Sequence, residues 1–320
     1  MNILLYIPRL EEKKTLIAIV GPTAVGKTAI AIKLAQIFET EVISADSRQI
    51  FRELTIGTAK PSPEELHLVQ HHFVNTHSIT DDYDAAQYGR DALATISGLF
   101  QQHNTLILCG GSGLYIKAVT EGFDDIPDVP TDIREGLMRQ YEQNGLEWLQ
   151  HEMQKLDPDH FATIDQRNPH RLIRALEVRI ATGSSIATFR KMNRITHDFD
   201  ILKIGLELPR EELYKRIEER MDKMIEAGLF EEASALYQQR RRQALQTVGY
   251  QEIFDFMDNK FNREEAIRLL KRNSRRYAKR QMTWFKRDPA VHWFSPNSPE
   301  LIFQFIIEYT RGDKQRLQST

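Results

Sequence analysis

"IVGPTAVGKTAI", residues 19–30, carries at its centre Gly21-Pro22-Thr23-Ala24-Val25-Gly26-Lys27-Thr28, a glycine, four residues, then Gly-Lys-Thr. The β-branched apolar run TLIAIV (15–20) precedes it, and Ala31, Leu34, Ala35 and Phe38 give 27–39 a helical period. The order is strand, loop, helix. In that context the spacing is the full phosphate-loop pattern. Its glycines let successive N–H groups turn inward, and the helix amino terminus adds partial positive charge. Lys27 reaches a terminal phosphate, and Thr28 offers a hydroxyl to Mg²⁺.

Two further apolar runs repeat the theme. EVISA (41–45) ends on Asp46-Ser47, and TLILC (105–109) ends on Gly110-Gly111 before the helical GLYIKAV, with a helical pattern over 84–103 between them. Strands separated by helical segments predict parallel pairing with crossover helices, and such sheets bind ligands at the strands' carboxyl ends. Asp46, Ser112 and the glycine loop are expected to meet at one edge. The expected fold is α/β: a P-loop NTPase-like parallel sheet core flanked by helices, with an all-α insertion.

The insertion is read from a change in composition. DDIPDVPTD (124–132) combines two prolines with a run of aspartates and reads as a linker, after which 131–182 is helical in pattern without a strand candidate. DILKIGLEL (200–208) returns the chain to the sheet, and Pro209-Arg-Glu-Glu opens a helix with proline and acids in its first turn. The pattern from 209 to 287 is again helical, VHWF (291–294) reads as a last strand, and a charged tail follows from Arg311. The expected core therefore spans 1–123 and 197–320, and the expected insertion 124–196.

Composition sets the outer limits. With 320 residues, 41% of them hydrophobic, the chain can bury a substantial core. A formal net charge of −2 leaves no bulk attraction to nucleic acid or membrane, so a polyanion partner must be held by a local patch. One cysteine, Cys109, excludes an intrachain disulfide framework or cysteine zinc site and fits a reducing cytoplasm. The start, MNILLYIPRLEEKK, lacks a basic n-region and a small-residue cleavage site, and no stretch approaches a membrane span. A cytoplasmic protein, a monomer without membrane association, is expected. His67 and His71 have i, i+4 spacing without an evident third ligand and are read as structural.

Phosphate binding does not by itself mean nucleotide hydrolysis, which also needs a metal-supporting Asp at a strand end. TLILC runs into Gly-Gly instead, whereas EVISA ends on Asp46, which could support Mg²⁺, serve as a general base, or simply cap a turn. The loop alone admits a nucleotide kinase or a non-catalytic RNA-binding module. The local basic patch that net charge demands is the segment 263–287, with ten Lys/Arg in twenty-five residues. Residues 268, 272, 275 and 279 fall on one side of that helix, while Ile267, Leu270, Tyr277 and Trp284 favour another, so it can pack and still present cations to phosphates.

GPTAVGKT, ISADSRQIFRELTIGTAKP, GGSGLYIKAV, NPHRLIRALEV, QTVGYQE and RRYAKRQMTWFKRD occur in an order and spacing that resemble the tRNA dimethylallyltransferases, also called tRNA isopentenyltransferases, over about residues 17–295. The resemblance implies that the ligand of Gly21–Thr28 is dimethylallyl diphosphate. It implies transfer of the dimethylallyl group to N6 of the adenosine immediately 3′ of the anticodon, in tRNAs reading codons that begin with U, with pyrophosphate leaving. It further implies Asp46 as the base, Thr23 near the reacting groups, Arg220 as the cation on the departing diphosphate, and Mg²⁺ on Thr28, with Asp46 as a further possible ligand. Arg216, one turn before Arg220, reads as a solvated helix arginine. Implied tRNA contacts are Asp46, Ser47, Arg48 and Gln49; Ser112, where most members carry threonine; Arg134; His170, Arg171, Leu172, Ile173 and Arg174; Gln246, Thr247, Val248, Gly249, Tyr250 and Gln251; and Lys279, Arg280 and Gln281. The insertion would grip the anticodon stem-loop while the target base is flipped into a channel beside the phosphate loop. A single cysteine excludes the Cys/His zinc finger of some eukaryotic members, so the likeness is to the bacterial form. The nearest alternative is an isopentenyltransferase acting on free adenine nucleotides.

Overall fold

In the computed structural model, which describes residues 13–124, 126–190 and 195–310, Thr15–Val20 is strand β1 and every residue in it is buried. A run buried on both faces is what a central parallel strand requires, and TLIAIV has no polar alternation to spoil it. The chain continues through α1 (Lys27–Ile37), β2 (Val42–Ser44), α2 (Pro63–Leu68), β3 (His71–His72), α3 (Ala85–Leu99), β4 (Thr105–Gly110) and α4 (Gly113–Thr120). The insertion supplies α5 (Thr131–Leu156), α6 (Pro158–Phe161), α7 (Pro169–Thr182) and α8 (Ile186–Phe189). Then follow β5 (Asp200–Leu206), α9 (Arg210–Glu226), α10 (Leu229–Ala235), α11 (Gln251–Met257), α12 (Arg263–Phe285), β6 (Val291–Phe294) and α13 (Pro299–Thr310).

The six strands form one sheet in the order β3-β2-β4-β1-β5-β6, every pair parallel. Register places the site. Val20 lies opposite Gly110 and Ser44 opposite Cys109, so Gly21, Ala45 and Gly111 leave the sheet at nearly the same level. The glycine loop, Asp46 and Ser112 consequently share its carboxyl edge. Alternation along β1 sends Leu16, Ala18 and Val20 into one apolar cluster and Ile17 and Ile19 into the other, so each face of the sheet is sealed by helices.

The chain divides into two compact units, 1–120 with 196–320, and 121–195, against the expected division at 123/124 and 196/197. The second unit has its own apolar core, in which Leu137, Leu149 and Met153 of α5 meet Leu172, Ile173 and Leu176 of α7. Its described residues contain no strand.

Three elements were not foreseen, and the first, α2, opens on a capping box between Ser62 and Glu65. β3 is a two-residue edge strand paired with β2, too short to show a period. α13 begins at Pro299 and buries Ile302, Phe303 and Ile306. The apolar start (1–12) and the charged tail from Arg311 lie outside the described residues. No helix among the described residues is long and apolar enough to cross a membrane.

Candidate active site

The loop between β1 and α1 needs glycine at its ends. Gly21 has φ 145° and a Cβ there would lie 2.6 Å from the Leu206 carbonyl, while Gly26, with φ 106°, precedes the first residue of α1. The loop is further fixed by a residue far away in sequence. Gln281 of α12 is only 7% exposed; its Oε1 accepts from the Thr23 N–H at 2.8 Å and its Nε2 donates to the Gly111 carbonyl at 2.9 Å. One amide thus straps the loop to the end of β4. Both ends of Gln281 hydrogen-bond within the protein, so it serves as a strut where it lines the cavity.

Lys27, at the first position of α1, donates from Nζ to the Pro22 carbonyl at 2.7 Å. Burial is the main influence on its pKa, which falls to about 8, with Arg220 pushing the same way against the upward pull of the Asp46 carboxylate. Cys109, beside it at the end of β4, is held as a neutral thiol, pushed up to about 11 by burial. Arg220 of α9 is also lowered by burial, with Asp46 the opposing influence. Two half-buried cations and one carboxylate therefore converge on this cavity.

Asp46 is held by the turn it starts. Its Oδ1 accepts from the backbone N–H of Arg48 at 2.9 Å and of Gln49 at 3.2 Å, the plain turn-capping role. Among the described residues no group donates to Oδ2, and Asp46 lines the same cavity of about 380 Å³ as Thr23, Lys27, Thr28 and Arg220. Capping fixes one oxygen and leaves the other for chemistry. The rest of the lining is apolar in part, with Ile217, Met221 and Met224 from α9, Val248, and Tyr277 from α12.

The segment after Asp46 is tied down residue by residue. The Ser112 hydroxyl accepts from the Ser47 N–H at 2.9 Å and donates to the Ser47 hydroxyl at 3.1 Å. Arg48 reaches the Gln243 carbonyl at 3.3 Å, and the Gln49 amide donates to the carbonyls of Thr58 and Ala59 at 3.2 and 3.0 Å. Glu232 of α10, which sequence reasoning missed, accepts from the N–H groups of Thr55, Ile56 and Gly57 at 3.1, 2.8 and 3.0 Å and from the Tyr250 hydroxyl at 2.6 Å. Gly57 is required there, since a Cβ would lie 2.6 Å from the Tyr250 ring. Nothing in the local sequence around Glu232 announces this role; its partners are remote in the chain.

Of the QTVGYQ segment, Thr247, Val248 and Gly249 line the cavity. Tyr250 is fully buried, and Gln246 and Gln251 are exposed and bonded to one another at 2.6 Å. Arg216 spends its guanidinium on Glu212 at 2.8 Å and Asn297 at 2.9 Å, while Arg220 faces the cavity. In the second unit His170 and Arg171 are exposed, but Leu172 and Ile173 point into that unit's core, so their side chains cannot meet RNA. Arg134 and Arg174, on different helices, converge on Glu177, at 3.6 and 2.6 Å. Glu177 is only 1% exposed and holds both guanidinium groups at the surface.

The basic helix α12 packs differently from the pattern read off its sequence. Its buried stripe is Ala266, Leu270, Ser274, Ala278, Gln281 and Phe285, in which three small residues are interleaved with three large ones, and Trp284 is 38% exposed. His67 lies in the last turn of α2 while His71 starts β3, so the two do not form a helical i, i+4 pair. Among the described residues no group of three or more His, Cys, Asp and Glu is arranged for a metal.

A family model described as IPP transferase matches residues 49–288. A tRNA dimethylallyltransferase of Cytophaga hutchinsonii is 50% identical over 92% of this chain and 96% of its own length, and tRNA dimethylallyltransferase 1 of Bacteroides fragilis is 45% identical over 92% and 97%. Among solved structures, the full-length tRNA isopentenylpyrophosphate transferase of Bacillus halodurans superposes with a TM-score of 0.69 at 38% identity, covering 96% of this chain and 100% of that one. A eukaryotic dimethylallyltransferase acting on tRNA gives 0.68 at 26% identity, covering 85% and 69%. A P-loop on a parallel sheet, an acid beyond the end of β2 on the same carboxyl edge and these likenesses together assign the chain to the IPP transferase family of tRNA dimethylallyltransferases, in its bacterial form.

Proposed function

We propose that this protein transfers the dimethylallyl group of dimethylallyl diphosphate to N6 of the adenosine immediately 3′ of the anticodon, in tRNAs reading codons that begin with U. The observation that carries the reading is the single cavity holding Lys27, Thr28, Arg220 and the free oxygen of Asp46 against an apolar wall of Ile217, Met221 and Met224. Phosphate chemistry alone has no use for that wall. A five-carbon prenyl tail does.

The adenine N6 lone pair attacks C1 of the donor, the C1–O bond breaks, and pyrophosphate leaves with the bonding pair. An exocyclic amine conjugated to a purine is a weak nucleophile, so accepting its proton on Asp46 Oδ2 is useful general-base catalysis. The loop N–H groups, Lys27 and Arg220 stabilise the charge growing on the departing oxygen. The Thr28 hydroxyl and a carboxylate, both hard oxygen donors, fit Mg²⁺, which is characteristically held by one or two carboxylates plus substrate phosphates instead of an all-protein cage. When bound there, Mg²⁺ would neutralise diphosphate charge. Thr23 sits in the loop beside these groups. Arg134, Arg171 and Arg174, with Lys279 and Arg280, supply phosphate contacts to the RNA. The RNA substrate with a single free cysteine supports a cytoplasmic site of action.

The test is nucleoside mass analysis of tRNA incubated with the protein and dimethylallyl diphosphate, run beside AMP as acceptor. A prenylated adenosine from tRNA alone is expected. Prenylated AMP at comparable rate, or ATP turnover without the prenyl donor, overturns the reading.

A further inference from the structure

Most of the ten cations of residues 263–287, α12 and the turn after it, have a partner. Arg268 pairs with Glu265, Lys271 with Asp222, Arg275 with Glu218 and Lys286 with Glu207. Arg263 lies over the Phe230 ring, and Arg272 donates to Asn273. Four are left, and they are Arg276, Lys279, Arg280 and Arg287. Among the described residues none of these four meets a carboxylate, and all four are exposed; Arg280 has only the Tyr277 ring, at 5.7 Å.

Their positions share one helix face, and with Thr283 and Trp284 they line a shallow depression. Trp284 is the large apolar member. Its indole lies hard against the start of α4, where a Cβ on Gly113 would sit 2.3 Å from Nε1, so the ring is braced on one side while 38% of the residue faces solvent. A braced, exposed aromatic ring inside a cluster of four unpaired cations, on a chain of net charge −2, has the make-up of a single-strand stacking platform: cations for the backbone and a π-face for a base. Duplex binding needs the cations but has no use for the ring.

We infer that Trp284 stacks an unpaired base of the tRNA loop, with Arg276, Lys279, Arg280 and Arg287 taking neighbouring phosphates. This rests on the tRNA transferase reading and extends it from phosphate contact to a base-holding role for a residue that touches neither the prenyl donor nor the reacting amine. By holding one loop base, the platform lowers the cost of unstacking the loop around the target.

The probe is an unmodified anticodon stem-loop carrying 2-aminopurine at successive loop positions, compared with a fully paired hairpin of equal length. Trp284→Phe is expected to bind the stem-loop within about threefold of the unaltered protein, and Trp284→Leu and Trp284→Ala about 5- to 100-fold more weakly. These substitutions leave the salt dependence unchanged, whereas Arg276→Ala or Arg287→Ala lowers its slope by about 0.7. One loop position should show fluorescence quenching that Trp284→Leu abolishes, and the paired hairpin should not discriminate Phe from Leu. Equal stem-loop affinity for the Phe and Leu variants, or a salt-slope change in Trp284→Leu matching that of the arginine variants, overturns the inference. Pyrophosphate affinity of each variant reports whether the separate phosphate cavity is intact. If the unaltered protein transfers no prenyl group to tRNA yet keeps this stem-loop profile, the function reading fails and the platform stands.

Discussion

Lys27 makes a quantitative claim. Burial lowers its pKa from the ordinary 10.5 to about 8, a gap worth at most about 3–4 kcal/mol against an exposed lysine. Below pH 8 the group is charged in both native and unfolded chains, and the native state carries that cost in full. Between about pH 8 and 10.5 the unfolded chain binds more protons, so this group makes stability rise with pH. A bound diphosphate reverses the balance by favouring the ammonium form. Binding must then draw in protons: the neutral fraction is about 0.1 at pH 7, 0.5 at pH 8 and 0.9 at pH 9 for such a group. The donor's own terminal phosphate ionises near pH 6, as phosphate monoesters do, and adds little above 7. The assay is calorimetric titration with dimethylallyl diphosphate, without tRNA, in buffers of different ionisation enthalpy. Proton uptake should climb along those three values, with affinity falling up to about tenfold per pH unit above 8. Uptake that is flat from pH 7 to 9, or that persists in Lys27→Met, refutes the reasoning.

Asp46→Asn keeps an oxygen for the turn N–H groups and removes the base. It should lower kcat by about 10²- to 10⁴-fold while leaving the KM for tRNA and the melting temperature nearly unchanged; Asp46→Ala should in addition cost about 1 kcal/mol of stability, read by urea unfolding. Glu232→Ala strips four donors of their acceptor and should destabilise the protein by about 2–3 kcal/mol, with kcat falling more than diphosphate affinity because the displaced segment carries Arg48 and Gln49. Glu177→Gln should weaken stem-loop binding by about fivefold, near 1 kcal/mol, without altering the slope of affinity against salt, since both arginines remain but lose their shared anchor.

The parts of this site that could be read from sequence are those encoded locally. β1, the glycine loop and α1 are contiguous, so apolar period and glycine spacing give strand, loop and helix together. Asp46 and Ser112 fall at the ends of recognisable strands, and parallel pairing then brings them to one edge. Residues whose function depends on a distant partner were opaque. Gln281 and Glu232 act only because α12 and α10 carry them to backbone groups far away in sequence, and a Gln or Glu on a helix ordinarily reads as surface. Trp284 misled for the opposite reason: apolar character argues burial, but at the end of α12 the inward positions are taken by Gln281 and Phe285. Leu172 and Ile173 sit within a motif of the family and still face inward, because a helix cannot turn every side to RNA.

The most direct test of the account is a crystal structure of the protein with tRNA and a non-transferable analogue of dimethylallyl diphosphate. The diphosphate is expected on the N–H groups of the loop 23–28, with Lys27 Nζ and Arg220 on its oxygens, the prenyl tail against Met221 and Met224, and Asp46 Oδ2 within hydrogen-bond reach of the adenine N6. A carboxylate turned away from that amine, or a diphosphate bound outside the loop, would contradict it.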